Sequence, residues 1–146
     1  TGKLGWSDVQ TVRSGFHVET KSNYKIFPYL NDDMGLALRA ADLVVARAGA
    51  SCLGEFPAFG LPAILVPYPY SWRYQYSNAK LLSNSGAAIC VEDKDLKSDL
   101  TDIVTGLLTN TSELNYMSEK SKDLSKTSGA ERIAEELVAM ASEASR

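Results

Sequence analysis

Apolar residues come in short blocks along this chain, separated by polar, Gly- or Pro-containing stretches. The four-residue runs LVVA (43–46) and AILV (63–66) predict buried strands of a parallel sheet. A third strand is predicted at 87–91. Between them, residues 52–59 read as a helix that Gly60 closes, with Pro62 as the stop signal. Pro57 should kink this helix or confine it to its first turns. Residues 74–85 predict a second helix, ended by Asn84 and Gly86. Earlier in the chain, 7–14 predicts a helix with Ser7 or Asp8 near its start. Residues 16–19 predict a short strand. Residues 24–30, YKIFPYL, predict a better one, which Pro28 ends or places at an edge. Asn31-Asp32-Asp33 supplies turn chemistry before a short helix at 34–41, with Met34, Leu38 and Ala41 on one side. Later, Asp95 or Ser98 caps a helix running to Thr109. Two more helices, 112–124 and 130–145, are separated by Ser128-Gly129. The serines from Ser112 onward read as the solvated side of those helices, and so do Glu131, Arg132, Glu135 and Glu136.

Strands alternating with helices imply βαβ crossovers. The expected fold class is therefore α/β, a Rossmann-like parallel sheet with flanking helices. Its strand-end loops should gather at one edge, where ligands bind in such sheets. The chain opens at Thr1-Gly2-Lys3, which reads as the end of a strand–turn unit whose first strand is missing. The expectation is a single domain over 1–146, truncated at its amino end. At 146 residues, it is long enough for one real core.

Composition narrows the function classes. A net charge of −3 argues against nucleic acid as a partner. No run of 18 apolar residues is present to span a membrane. Cys52 and Cys90 stand alone without metal spacing, and the single histidine, His17, excludes a multi-histidine site within the chain. This cysteine usage fits a reducing cytoplasm, where the Asn110-Thr111-Ser112 sequon is a chance match.

Candidate chemistry centres on 41–60. Arg47 lies just past a strand, and Ala48, Gly49, Ala50 and Ser51 are all small, so backbone can approach a ligand closely. The following helix start suits a diphosphate, and Glu55, one turn in, is within reach of ribose hydroxyls. Close packing of the turn against the sheet explains the small residues equally well. The second stretch is 68–78, YPYSWRYQYSN. Gln75 and Asn78 share a helix face, and their amides can read sugar hydroxyls. Arg73 could meet phosphate, and Trp72 and the tyrosines could pack on a sugar or base. An exposed helix start with aromatic packing is the alternative. Cys52 has no histidine near it in sequence and reads as structural.

Taken in order, DDM (32–34), ADLVVARAGA (41–50), Glu55, GLPAILVPYP (60–69), Gln75, Asn78-Ala79 and GAA (86–88) resemble the donor-binding half of the bacterial peptidoglycan GlcNAc transferases of the MurG type. The resemblance covers nearly the whole chain. It implies the C-terminal domain of a GT-B fold and transfer of GlcNAc from UDP-GlcNAc to a lipid-linked muramyl-pentapeptide acceptor, without metal or other cofactor. By the same resemblance, Leu30 matches the position whose backbone reads the uracil edge. Ser51 and Cys52 match the diphosphate turn, Glu55 the acid on the ribose, and Gln75 a reader of GlcNAc hydroxyls. Tyr74 occupies a neighbouring sugar-contact position often taken by His or Gln. Arg47 and Asn78 match frequent family positions. Cys52 stands where Thr is usual, so a hydroxyl contact to phosphate is lost. The resemblance places the acceptor site, the general base and the peripheral contact with the inner face of the cell membrane in an amino-terminal half that this chain lacks. The fragment is then expected to bind UDP weakly and not to catalyse transfer. Asp93-Lys94-Asp95 resembles the DxD of metal-dependent glycosyltransferases, but its place before a helix makes Asp95 an N-cap. Two alternatives share these features: another GT-B UDP-sugar transferase, acting on glycolipids or natural products, and a non-catalytic donor subunit that needs a partner chain.

Overall fold

The computed structural model describes residues 5–71, 74–125 and 129–144. The sequence readings at Thr1-Gly2-Lys3, Trp72, Arg73 and Ser128 lie outside them. The chain divides into two compact units, Thr1–Ala37 and Leu38–Arg146.

In the first unit, α1 spans Trp6–Ser14 and α2 spans Val18–Asn23. Both strands predicted here are absent. Residues 18–19 lie in α2, and 24–30 form a loop with a bend at Pro28. The physical reason is a missing partner: no strand lies beside them among the described residues of this unit, and Pro28 offers no N–H. Arg13 makes the helical alternative work. Its Nη2 donates to the Lys21 carbonyl and its Nε to the Tyr24 carbonyl, both at 2.9 Å, satisfying oxygens at the end of α2. Helix α3, Met34–Ala40, follows close to the predicted bounds.

The second unit holds β1 (Val44–Ala46), α4 (Cys52–Phe59), β2 (Ala63–Leu65), α5 (Tyr74–Asn84) and β3 (Ala88–Cys90). The strands form a parallel sheet in the order β1-β2-β3, with Ala46, Leu65 and Cys90 in register at its carboxyl edge. A 3-10 turn, Asp93–Asp95, then leads into α6 (Leu96–Thr109), α7 (Thr111–Asp123) and α8 (Gly129–Ala144).

Alternation along β2 sends its side chains to two cores. Ala63 and Leu65 join Cys52, Phe56, Leu61, Ala79, Leu82 and Ala87 under α4 and α5. Ile64 and Val66 join Val91, Leu107 and Met117 under α6 and α7. The result is a three-layer unit with β2 fully buried at its centre. β1 is an edge strand, and Val45 is 44% exposed, so the run at 43–46 is only partly buried.

Helices α4 and α5 stop in the same way. Gly60 and Gly86 have φ of +61° and +83°, the left-handed region that glycine enters without cost. After α4, Gly60 N–H bonds the Pro57 carbonyl and Leu61 N–H that of Phe56. After α5, Gly86 N–H bonds Ser83 and Ala87 N–H bonds Leu82. Each pair is a Schellman motif, with the apolar contacts Phe56–Leu61 and Leu82–Ala87 inside the core. Both helices thereby drop straight into the next strand.

Two expectations about helices are corrected. Asp95 stands at the N-cap position of α6 but its side chain caps nothing, because its backbone is already helical as it closes the 3-10 turn. The α7 serines are not all solvated. Ser121 is 1% exposed and its hydroxyl donates to the Leu61 carbonyl, while Ser118 donates to the Gly60 carbonyl at 2.7 Å. Those carbonyls lie past the end of α4, where α7 supplies their partners. In α8 the expected polar face is solvated, and Ile133, Leu137, Val138 and Met140 are exposed as well.

Candidate functional site

The register of β1, β2 and β3 brings three segments to one edge of the sheet: the turn at 47–51, the loop from 66 and the segment from 91. Of the eight residues matched through the family resemblance, Arg47, Ser51, Cys52, Glu55, Tyr74, Gln75 and Asn78 belong to the second unit. Leu30 belongs to the first, half-buried in a shallow groove with Ile26, Phe27 and Met34.

The turn after β1 is tightly wound. Gly49 N–H bonds the Arg47 carbonyl, Cys52 N–H bonds Gly49, and Leu53 N–H bonds Ala50. The N–H groups of Ala50 and Ser51 donate to no backbone carbonyl among the described residues. Ser51 holds the N-cap position of α4 with helical dihedrals and no side-chain cap bond, and its carbonyl accepts from Glu55 N–H at 2.9 Å. A Cβ built at Gly49 or at Gly54 would meet nothing within 4 Å. The small residues therefore face open space rather than a packed neighbour. Close packing explains Ala48, which is fully buried, but not Gly49 or Gly54. Glu55 is exposed one turn into α4, and makes neither an ion pair nor a side-chain hydrogen bond among the described residues.

Cys52 behaves as a core residue. It is 2% exposed, and burial together with the nearby Glu55 carboxylate pushes its thiol up to about 11. At neutral pH it is protonated and is not a nucleophile. Cys90 is exposed, with its thiol raised more modestly by burial and by Glu92. Iodoacetamide at pH 8 is accordingly expected to label native protein at Cys90, and Cys52 only after unfolding, as read by mass spectrometry. The Cys52 shift also sets an alkaline limit. The folded state favours the neutral thiol, so this contribution to stability is whole below the unfolded value of 9.0. It is lost as pH rises from there toward 11, and amounts to about 2–3 kcal/mol when complete. Thermal unfolding across that window should show a decline that Cys52→Ser reduces.

The amides on α5 are less free than their spacing suggested. Asn78 Nδ2 donates to the Ala48 carbonyl at 2.9 Å, fastening α5 to the turn after β1. Gln75 Oε1 accepts from Tyr68 N–H at 2.8 Å, which leaves its NH₂ group to donate elsewhere. Tyr74 is 75% exposed at the helix start. Tyr76 donates to Glu92 Oε2 at 2.9 Å, and this bond raises its phenol pKa.

Arg47 is the most connected of the set. Its Nη1 donates to the carbonyls of Val66 (3.3 Å) and Pro67 (3.4 Å) and pairs with Asp93, and its guanidinium lies 5.5 Å from the Tyr68 ring centroid. Sequence reasoning missed Asp93 and Glu92 as members of this edge. The signal was available in outline, since Arg47 and Asp93 both follow strands of one parallel sheet. Asp93, the first acid of the DxD-like triplet, is thus engaged with an arginine. A cleft of about 400 Å³ lined by Asp42, Gly60, Ser118 and Lys122 lies near the amino ends of β1 and β2, at the opposite edge from these residues.

Comparison with known proteins gives the family and the fold. The family model described as "Glycosyltransferase family 28 C-terminal domain" matches residues 1–137. The chain is 44% identical, over 86% of its length, to the UDP-N-acetylglucosamine–N-acetylmuramyl-(pentapeptide) pyrophosphoryl-undecaprenol N-acetylglucosamine transferase of Halothermothrix orenii. It is 42% identical, over 80%, to the protein of the same name from Acetivibrio thermocellus. These alignments cover 35% and 32% of the two relatives, so the chain spans about a third of their length. Among solved structures, a crystal structure of Acinetobacter baumannii MurG superposes with a TM-score of 0.69 at 27% identity, covering 76% of this chain and 32% of that one. The Rossmann-like α/β fold read from the sequence is therefore that of the carboxyl-terminal part of such an enzyme, and the chain belongs to the glycosyltransferase family 28 C-terminal domain family.

Proposed function

We propose that the chain is the nucleotide-sugar-binding domain of a GT-B glycosyltransferase that moves GlcNAc from UDP-GlcNAc to a lipid-linked muramyl-pentapeptide acceptor. The observation that carries this reading is the turn after β1. It combines open space at Gly49 and Gly54, uncommitted backbone N–H groups at Ala50 and Ser51, and an unpaired carboxylate at Glu55, in a chain of this family. In this reading the diphosphate lies against the backbone of Ser51 and Cys52 at the start of α4, where the free Ser51 N–H and the helix dipole favour negative charge. Glu55 accepts from the ribose hydroxyls. Gln75 donates its NH₂ to GlcNAc hydroxyls, with Tyr74 beside it.

The chemistry of such a turn is leaving-group stabilisation. As the glycosidic bond to UDP breaks, charge builds on the β-phosphate, and preorganised donors at the turn lower the barrier without reorganising. Acceptor, general base and contact with the inner face of the cell membrane are assigned to the rest of a full-length enzyme. Transfer needs the acceptor aligned with the sugar carbon, so this domain by itself binds UDP weakly and transfers nothing.

Titration with UDP and UDP-GlcNAc, followed by calorimetry and amide NMR, tests the reading. Millimolar ligand should shift the resonances around Ser51, Glu55 and Gln75, and an unperturbed Glu55–Gln75 region would sink it. Glu55→Ala should weaken UDP about tenfold, the loss of one charge-assisted hydrogen-bonding group. The same substitution should leave thermal stability unchanged, because Glu55 is exposed and unpaired.

A further inference from the structure

We infer that Arg47 serves as a clamp on the diphosphate turn rather than as a phosphate ligand, and that Asp93, its counter-ion, is a positioning residue for that turn. The inference rests on the proposed nucleotide-binding role of the turn and adds a role for two residues outside the direct contacts. Arg47 lies at the exit of β1 and reaches the exits of both other strands: the Val66 and Pro67 carbonyls after β2, and the Asp93 carboxylate after β3. An Nη nitrogen carries two hydrogens. At Nη1 one serves the two carbonyls, at 3.3 and 3.4 Å, and the other serves Asp93. The Tyr68 ring packs at 5.5 Å from the guanidinium carbon, a cation–π contact. Tyr68 is in turn the residue whose N–H holds Gln75.

The neighbouring bonds run the same way. Asn78 holds the Ala48 carbonyl, and Glu92, next to Asp93, holds Tyr76 on α5. One set of side chains thus fixes the turn after β1, the loop after β2 and the first turns of α5 against one another. A phosphate ligand would be expected to present its charge outward. Here the charge is already matched by a carboxylate, and a flat guanidinium packs on the Tyr68 ring while Nη1 bridges, which suits this site better than a compact, strongly hydrated ammonium would.

The two roles predict opposite signs for Asp93→Asn. If Arg47 were a phosphate ligand, removing its competing carboxylate would free it and delete a negative charge near the site, so UDP would bind as well or better. In the clamp, Asp93→Asn loosens the turn and weakens UDP about three- to fivefold, the scale of a half-exposed ion pair. Arg47→Gln should cost a similar factor, and the double variant should be no worse than the more severe single one, because both remove the same device. Arg47→Lys should not restore affinity, whereas Asp93→Glu should restore part of it. Uridine, which lacks the diphosphate, should bind all variants equally.

Amide hydrogen exchange on the ligand-free chain gives a second, independent readout. Asp93→Asn should speed exchange at Gly49 and Cys52, whose N–H groups close the turn, by about three- to fivefold relative to core amides of β2. Unchanged exchange there, or tighter UDP binding, overturns the clamp. Failure of the parent chain to bind UDP overturns the nucleotide reading instead, and exchange alone then decides whether Arg47 and Asp93 clamp the turn.

Discussion

A Gly49→Asp chain is expected to fold like its parent and to lose UDP binding by about 30-fold. Stability should be spared because a Cβ at Gly49 meets nothing within 4 Å and its φ lies outside the left-handed region. Binding should suffer because the new carboxylate would stand in the space proposed for the diphosphate. Two unit charges about 4 Å apart at an effective dielectric near 20 repel by about 4 kcal/mol. Solvent and salt at this half-exposed turn bring the net to about half that, which corresponds to roughly 30-fold. Calorimetry at low and high salt checks both parts, since the defect should shrink as ionic strength rises. Gly49→Ala is the control, adding a methyl group without charge. A Gly49→Asp chain that binds UDP as well as its parent would remove the turn from the site.

Leu65→Ala should produce the largest loss of stability, about 3–4 kcal/mol. Leu65 is fully buried on the central strand, and its side chain joins Phe56, Leu61 and Leu82 in the core beneath α4 and α5. Truncation removes transfer free energy and leaves a cavity that close-packed neighbours only partly fill. In a domain with the usual 5–15 kcal/mol of stability, this is a large share. Thermal unfolding should shift down by about 10 °C. Val45→Ala, on the exposed edge strand, should cost less than about 1 kcal/mol. Equal costs for the two substitutions would contradict a core built on both faces of β2.

The elements from β1 to β3 were legible in the sequence because each carries its own punctuation. Gly60 with Pro62, and Gly86 after Asn84, mark helix ends that need a left-handed residue, and the apolar runs between them have room only for short strands. Residues 16–30 were misread because a local pattern shows what a segment can bury but not what it pairs with. YKIFPYL has the composition of a strand and has no neighbouring strand to bond with among the described residues of its own unit. Ser118 and Ser121 were misplaced for a related reason. Their acceptors are carbonyls 58 and 60 residues earlier, which no periodicity in α7 reveals.

The position of the candidate site came from strand order, so the edge holding Arg47, Ser51, Glu55 and Gln75 was legible. The commitments of its polar groups were not. Asn78 turns inward to a backbone oxygen 30 residues away, and Arg47 finds Asp93 across the sheet. Both pairings depend on tertiary register, which exists only once all three strands are in place.

The hydroxyls of α7 bear on the timing of synthesis. The joint between α4 and β2 is completed by Ser118 and Ser121, about sixty residues downstream. A ribosome adding roughly 5–20 residues per second takes about 3–12 s to make that stretch. Throughout that interval the Gly60 and Leu61 carbonyls lack their hydroxyl partners, and the apolar face around Ile64 has at most α6 over it. The nascent chain therefore passes through a stage in which this face of its sheet lacks the cover that Met117 and Leu114 of α7 supply. A chaperone that shields apolar strands would find its substrate then, before α7 has left the ribosome.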